Sequence, residues 1–149
     1  MFELIQSIRF ADERATGVAQ IAADHPALLD HFPGQPLLPA TWLVEIAAQI
    51  AGPLVETVLQ AQHDLERWAV LAMIRDAKIL APVPLPARLD LEARMERIED
   101  GLARTRVSAS YGETSVLRAE LVFAMIEAPS GAEAAVRARR ERVARWMAA

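Results

Sequence analysis

The sequence predicts an α+β domain in which an antiparallel sheet wraps one long buried helix and a further helix follows at the C-terminal end. Three observations lead there. A stretch of about two dozen residues after Pro39 is apolar around most of a helical circumference, as only a core helix can be. Four segments after it change to a period of two, the alternation of strands. The chain has 149 residues, 53% of them hydrophobic and 24% charged, which suits one globular domain with a sizeable core.

The elements follow in order. Met1 to Phe10 and Arg14 to Ala22 are predicted as two short strands separated by the polar turn Ala11-Asp12-Glu13. Asp24 to Pro39 holds four prolines (26, 33, 36, 39) and Gly34 within sixteen residues, and is expected to be a shaped loop. Pro39 stands where a helix tolerates proline, and the helix is expected over Pro39 to Gln62. Trp42, Leu43, Val44, Ile46, Ala47, Ala48, Ile50 and Ala51 surround it. Thr41, Glu45, Gln49, Glu56 and Gln60 form its one polar stripe, and Gly52-Pro53 predicts a bend.

Trp68 to Leu80 begins apolar on both faces, which predicts a central strand. In Arg88 to Glu99, Leu89, Leu91, Ala93 and Met95 alternate with charged residues. Leu102 to Tyr111 and Thr114 to Ile126 predict a hairpin about Gly112-Glu113, with Leu117, Ala119, Leu121, Phe123 and Met125 on one face. Ala132 to Trp146 completes the chain as a helix outside the sheet. The division expected is residues 1–128 as the domain and 129–149 as a basic helical tail.

Composition narrows the function. With no cysteine, disulfides and thiolate metal sites are excluded, and a reducing, cytoplasmic setting is expected. The first residues carry Glu3 and lack the basic start and apolar core of a signal peptide. Glu45, Gln49 and Glu56 interrupt the most apolar stretch, so no membrane span is expected. The net charge of −4 argues against nucleic-acid binding. Residues 133–149 hold five arginines against two glutamates, a basic tail expected to be a solvated helix. His25, His31 and His63 have no metal-ligand spacing, so neither metal nor cofactor is expected.

One segment carries chemistry: His31-Phe32-Pro33-Gly34-Gln35-Pro36-Leu37-Leu38-Pro39, followed by Ala40 to Gln49. A histidine on a proline-rigid loop precedes a carboxylate, Glu45, on the second turn of the helix that the loop feeds. Histidine side chains accept protons near neutrality, and a carboxyl in apolar surroundings retains a proton to donate. The helix start adds unpaired backbone N–H groups and a positive dipole end suited to a developing oxyanion. On the residues alone, an acid/base pair competes with a backbone-satisfied loop histidine and a solvated helix glutamate.

The run HFPGQPLLPATWLVEIAAQ resembles the signature of the FabZ-type (3R)-hydroxyacyl-acyl-carrier-protein dehydratases: HFPG-x-P, a hydrophobic pair, P-G, then LxxE-A-x-AQ. Weaker similarity extends over Met1 to Asp30, Ile74 to Val83 and Gly101 to Ala128. The resemblance implies a hot-dog fold, a homodimer with a continuous sheet (with higher oligomers open), and active sites taking histidine from one subunit and carboxylate from the other. It implies His31 as the base and Glu45 as the acid in dehydration of a 3-hydroxyacyl thioester on acyl carrier protein or coenzyme A. The Ala40 N–H would receive the thioester oxygen. Phe32, Pro33, Gly34, Pro39, Trp42 and Gln49 would line or support the site, with Gln49 either orienting the carboxyl or serving as a plain buried amide.

The chain departs from the pattern at three places. Ala40 replaces the usual glycine and keeps its N–H. Leu80 and Ala81 replace basic residues, leaving Arg75, Lys78, Arg88 or the arginine-rich tail to meet an acidic carrier. Leu85-Pro86-Ala87 replaces a glycine-aspartate turn. Two other readings are a hot-dog acyl thioesterase and a non-catalytic subunit that binds acyl chains or an active partner.

Overall fold

A computed structural model describes residues 3–64 and 66–149 of the chain. The element order is β1 (Ile5–Ala11), β2 (Arg14–Ile21), a 3-10 turn (Pro26–Leu28), α1 (Ala40–His63), β3 (Trp68–Ile79), β4 (Ala87–Glu99), β5 (Leu102–Tyr111), β6 (Thr114–Ile126) and α2 (Glu133–Ala148). Met1 and Phe2, assigned to the first strand on sequence, lie outside the described residues. The six strands form one antiparallel sheet in the order β1-β2-β4-β5-β6-β3, leaving β1 and β3 at the edges.

The sheet curls around α1. Leu89, Leu91 and Ala93 of β4, Val107 and Ala109 of β5, and Leu117, Leu121 and Phe123 of β6 are buried on its inner face. They meet Leu43, Ile46, Ile50, Leu54, Val55 and Val58 of the helix. Each such side chain contributes about 1.5–3 kcal/mol on leaving water. Thr105 is the buried polar residue of this layer, and its hydroxyl donates to the Leu121 carbonyl at 3.1 Å. The helix is long and apolar enough to cross a bilayer, yet its apolar faces are taken up by the sheet. It runs unbroken through Pro53 and ends at Asp64, whose left-handed conformation lets its N–H cap the Leu59 carbonyl.

Gly17 sets how tightly β1, β2 and the helix close together. A Cβ there would stand 2.6 Å from the Ser7 carbonyl oxygen and 3.2 Å from Ile50 Cδ1.

The structure corrects the reading of β3 as a central strand. It lies at the sheet edge, hydrogen-bonded to β6 on one side, and all its residues after Ala69 are exposed. Val70, Met73 and Ile74 are 44%, 54% and 49% exposed. Apolar residues on both faces of a strand signal burial on both faces. Within one chain nothing among the described residues supplies it.

The arginine-rich helix is docked rather than free in solvent. α2 packs along β1, and Trp146 is buried at 5% exposure. Arg139 pairs with Glu56 of α1 and lies 5.2 Å over the Trp68 ring. Arg140 pairs with Glu66, and Arg145 pairs with Glu3 at 3.0 Å. Its place outside the sheet is the one expected from its sequence. The acidic partners standing opposite its arginines were not visible in a linear reading.

Candidate active site

The loop that carries His31 is fixed at both ends. At the start, His25 Nδ1 accepts the Ala27 N–H at 3.2 Å, and Leu28 plugs into the core. The His31 N–H then donates to the Leu28 carbonyl at 3.0 Å. Phe32 to Gln35 form a turn closed by the Gln35 N–H on the Phe32 carbonyl at 3.1 Å. Pro33 supplies the fixed φ of its first corner and Gly34, at φ +81°, the positive φ of its second, the requirements of a type II turn. Phe32 itself sits at φ +54°, uncommon for a bulky residue, with its exposed ring edge-on to His31 at 4.5 Å between centroids.

Past the turn, the Leu38 N–H donates to the Val83 carbonyl (2.8 Å) and the Leu85 N–H to the Pro36 carbonyl (2.9 Å). Leu38 is buried, so the loop enters α1 at a defined angle. His31, Phe32, Pro39 and Ala40 are thereby brought to one cavity of about 430 Å³, lined also by Ile79, Ala81, Pro82 and Val83. Ala40 is the first residue of α1, where N–H groups precede the first intrahelical bond. Pro33 and Gly34 form the exposed turn itself and stand outside the lining of that cavity. Trp42 points elsewhere: half-buried, it packs edge-on against His25 with centroids 4.9 Å apart.

Glu45 belongs to a different place. It lies exposed on the second turn of α1 and accepts a hydrogen bond from Gln49 Nε2 at 2.9 Å. Gln49 Oε1 in turn accepts the N–H of buried Leu4 at 3.0 Å. The amide therefore ties the carboxyl to the N-terminal segment. Glu45 and Gln49 border a second cavity of about 240 Å³ shared with Leu71, Phe123 and α2. Within one chain, His31 and Glu45 thus open onto separate cavities. Sequence reasoning missed Leu4 as the anchor of this relay and α2 as a wall. The one signal for the latter was Val136, Val143 and Trp146, recurring at helical spacing among the arginines.

The rest of the candidate chemistry is spare. Among the described residues no group of three His, Asp or Glu side chains is placed to hold a metal ion. His63 is exposed in the last turn of α1. Arg75 pairs with Glu120 at 3.4 Å and Lys78 with Asp76 at 3.6 Å, while Arg88 is exposed on β4.

Comparison with solved structures defines the class first. An uncharacterized protein of Pyrococcus horikoshii superposes with a TM-score of 0.65 at 12% identity, covering 84% of this chain and 85% of that one. A Streptococcus mutans protein bound to acetyl CoA gives 0.65 at 14% identity (84% and 90%). A Haemophilus influenzae thioesterase gives 0.64 at 14% identity (83% and 78%). The chain is a hot-dog protein. No family model matches it. Among curated proteins, the 3-hydroxyacyl-[acyl-carrier-protein] dehydratase FabZ of Caldanaerobacter subterraneus is 32% identical over 115 residues, covering 77% of this chain and 79% of the relative. The FabZ of Clostridioides difficile is 30% identical over the same shares. The chain belongs to the FabZ family.

Proposed function

We propose that the protein dehydrates (3R)-hydroxyacyl thioesters, on acyl carrier protein or coenzyme A, to trans-2-enoyl thioesters, working as a cytoplasmic homodimer. Membership of the FabZ family carries the reaction class. Residues 1–128 would form the catalytic unit, with 129–149 added to it. His31 of one subunit removes the proton from the carbon beside the thioester carbonyl. The electron pair forms the new double bond as the β-hydroxyl departs, taking a proton from Glu45 of the other subunit and leaving as water. Proton return from the imidazolium to the carboxylate, directly or through water, resets the pair. The Ala40 N–H receives the thioester oxygen while it bears negative charge, a contribution typically worth about 3 kcal/mol.

Two observations support a site shared between subunits. His31 and Glu45 open onto different cavities of one chain. The β3 edge beside both cavities has a strand on one side only among the described residues and carries exposed apolar side chains, an arrangement that a second copy can cover by adding its own strand. Such a neighbour would also turn exposed Glu45 toward protein rather than water. The thioesterase reading has only likeness of fold behind it, at 14% identity.

The test is to follow enoyl product by mass from a 3-hydroxydecanoyl thioester on acyl carrier protein, using wild type, His31→Ala and Glu45→Gln. Wild type should convert it and each variant should lose activity. Mixing the two variants under subunit exchange should restore about one quarter of wild-type activity, because half the dimers become mixed and each has one intact pair. No restoration despite demonstrated exchange would mean that the pair acts within one chain. Free acid as product would mean a thioesterase, and no conversion at any chain length a binding subunit.

A further inference from the structure

We propose that Phe32 is a positioning residue for the base: its ring holds the His31 imidazole at the angle from which it takes a proton. The proposal rests on the dehydratase reading. A histidine that abstracts a proton needs its ring fixed, and a hydrogen bond made by its second nitrogen commonly does this. Among the described residues no hydrogen bond or ion pair reaches the His31 side chain. What meets it is the Phe32 ring, with centroids 4.5 Å apart and planes at 75°, the edge arrangement that aromatic pairs favour.

Phe32 is otherwise ill suited to its place. Its φ of +54° lies in the left-handed region, which bulky side chains rarely occupy, and a residue before proline is steered toward extended backbone. Glycine or asparagine would hold that conformation at less cost. Burial within its own chain does not offset the strain, because the residue is 52% exposed. The conformation does serve one contact. Consecutive side chains of extended backbone point to opposite sides, and the left-handed residue turns the Phe32 ring back beside its neighbour. Backbone bonds keep the bend on both flanks, from the His31 N–H to the Leu28 carbonyl at 3.0 Å and from the Gln35 N–H to the Phe32 carbonyl at 3.1 Å. Both rings border the cavity that Ala40 also lines, so the contact is made where the base works. A strained residue with no gain to the core, placed against the reacting group, marks a functional constraint.

The experiment uses the full-length protein with Phe32→Asn and Phe32→Gly, which remove the ring and suit a positive φ, and with Phe32→Tyr, which keeps the ring. Four quantities are measured on each: steady-state dehydration of 3-hydroxydecanoyl-acyl-carrier-protein, 13C relaxation of the His31 ring (assigned by its loss in His31→Ala), Tm, and mass by light scattering. Both ring-free variants should lose about tenfold in kcat with KM within about twofold of wild type, because a loosened base costs rate rather than binding. Their His31 ring should lose order on the ps–ns timescale while Tm does not fall, and Phe32→Tyr should restore kcat and ring order together. Phe32→Gly decides the matter alone if Phe32→Asn fails to fold. A raised KM at unchanged kcat would put the ring on the substrate and overturns the proposal. Loss of the dimer or a lowered Tm in both ring-free variants would make the ring a packing element and also overturns it. So does a His31 ring as well ordered without Phe32 as with it. If wild type dehydrates no substrate, the dehydratase reading falls, and the order of the His31 ring alone then judges the positioning role.

Discussion

Gln49 offers the sharpest test of how the fold prepares Glu45, because one side chain serves two neighbours. Its oxygen accepts the N–H of Leu4 at 3.0 Å and its nitrogen donates to Glu45 Oε1 at 2.9 Å. Gln49→Leu removes both bonds at similar volume. Leu4 is only 4% exposed, so its N–H would lose its acceptor with little water to replace it, a cost of about 1–3 kcal/mol. For a chain of this size each kcal/mol lowers Tm by roughly 2–4 °C, so a drop of roughly 2–12 °C is expected at fixed protomer concentration. Gln49→Glu separates the roles. It still accepts from Leu4 but, ionised, can no longer donate to Glu45. Its Tm should lie nearer wild type than that of Gln49→Leu. Its kcat should fall about tenfold or more, since a misplaced catalytic group costs rate rather than stability. Calorimetric melting and the dehydration assay at pH 8 read the two effects separately. A Gln49→Glu enzyme with wild-type kcat, or a Gln49→Leu protein melting with wild type, would refute the relay.

Two further outcomes test the fold around the site. Placing charge on the β3 edge with Met73→Glu and Ile74→Glu should leave a folded monomer of 16.4 kDa by light scattering and abolish dehydration, whereas a surviving dimer would remove β3 from the interface. Gly17→Ala places a methyl group 2.6 Å from the Ser7 carbonyl oxygen, and such overpacking costs about 1–3 kcal/mol. Its Tm should fall by roughly 2–12 °C, and an unchanged Tm would show that β1 yields freely.

The elements were legible because each announces its own period. Leu89, Leu91 and Ala93 alternate in the sequence and are buried in β4, and Leu117, Ala119, Leu121 and Phe123 do the same in β6. The helix was readable from its nearly all-round apolar surface, and the Pro33-Gly34 turn from residues whose backbone preferences are local. β3 was misplaced for a related reason. Periodicity reports how much of a strand avoids water and cannot say whether its own chain or another copy does the covering.

By itself, the sequence determined the helix-in-sheet architecture, the rigid histidine loop and the carboxylate that follows it, since all of these arise from local backbone preference and hydrophobic spacing. Tertiary structure alone decided that His31 and Glu45 face separate cavities, that Leu4 anchors Gln49 across 45 positions of chain, and that the arginine-rich tail folds back on Glu3, Glu56 and Glu66. These depend on which distant residues meet. Such meetings are set by chain reversal and packing, which leave no period in the sequence.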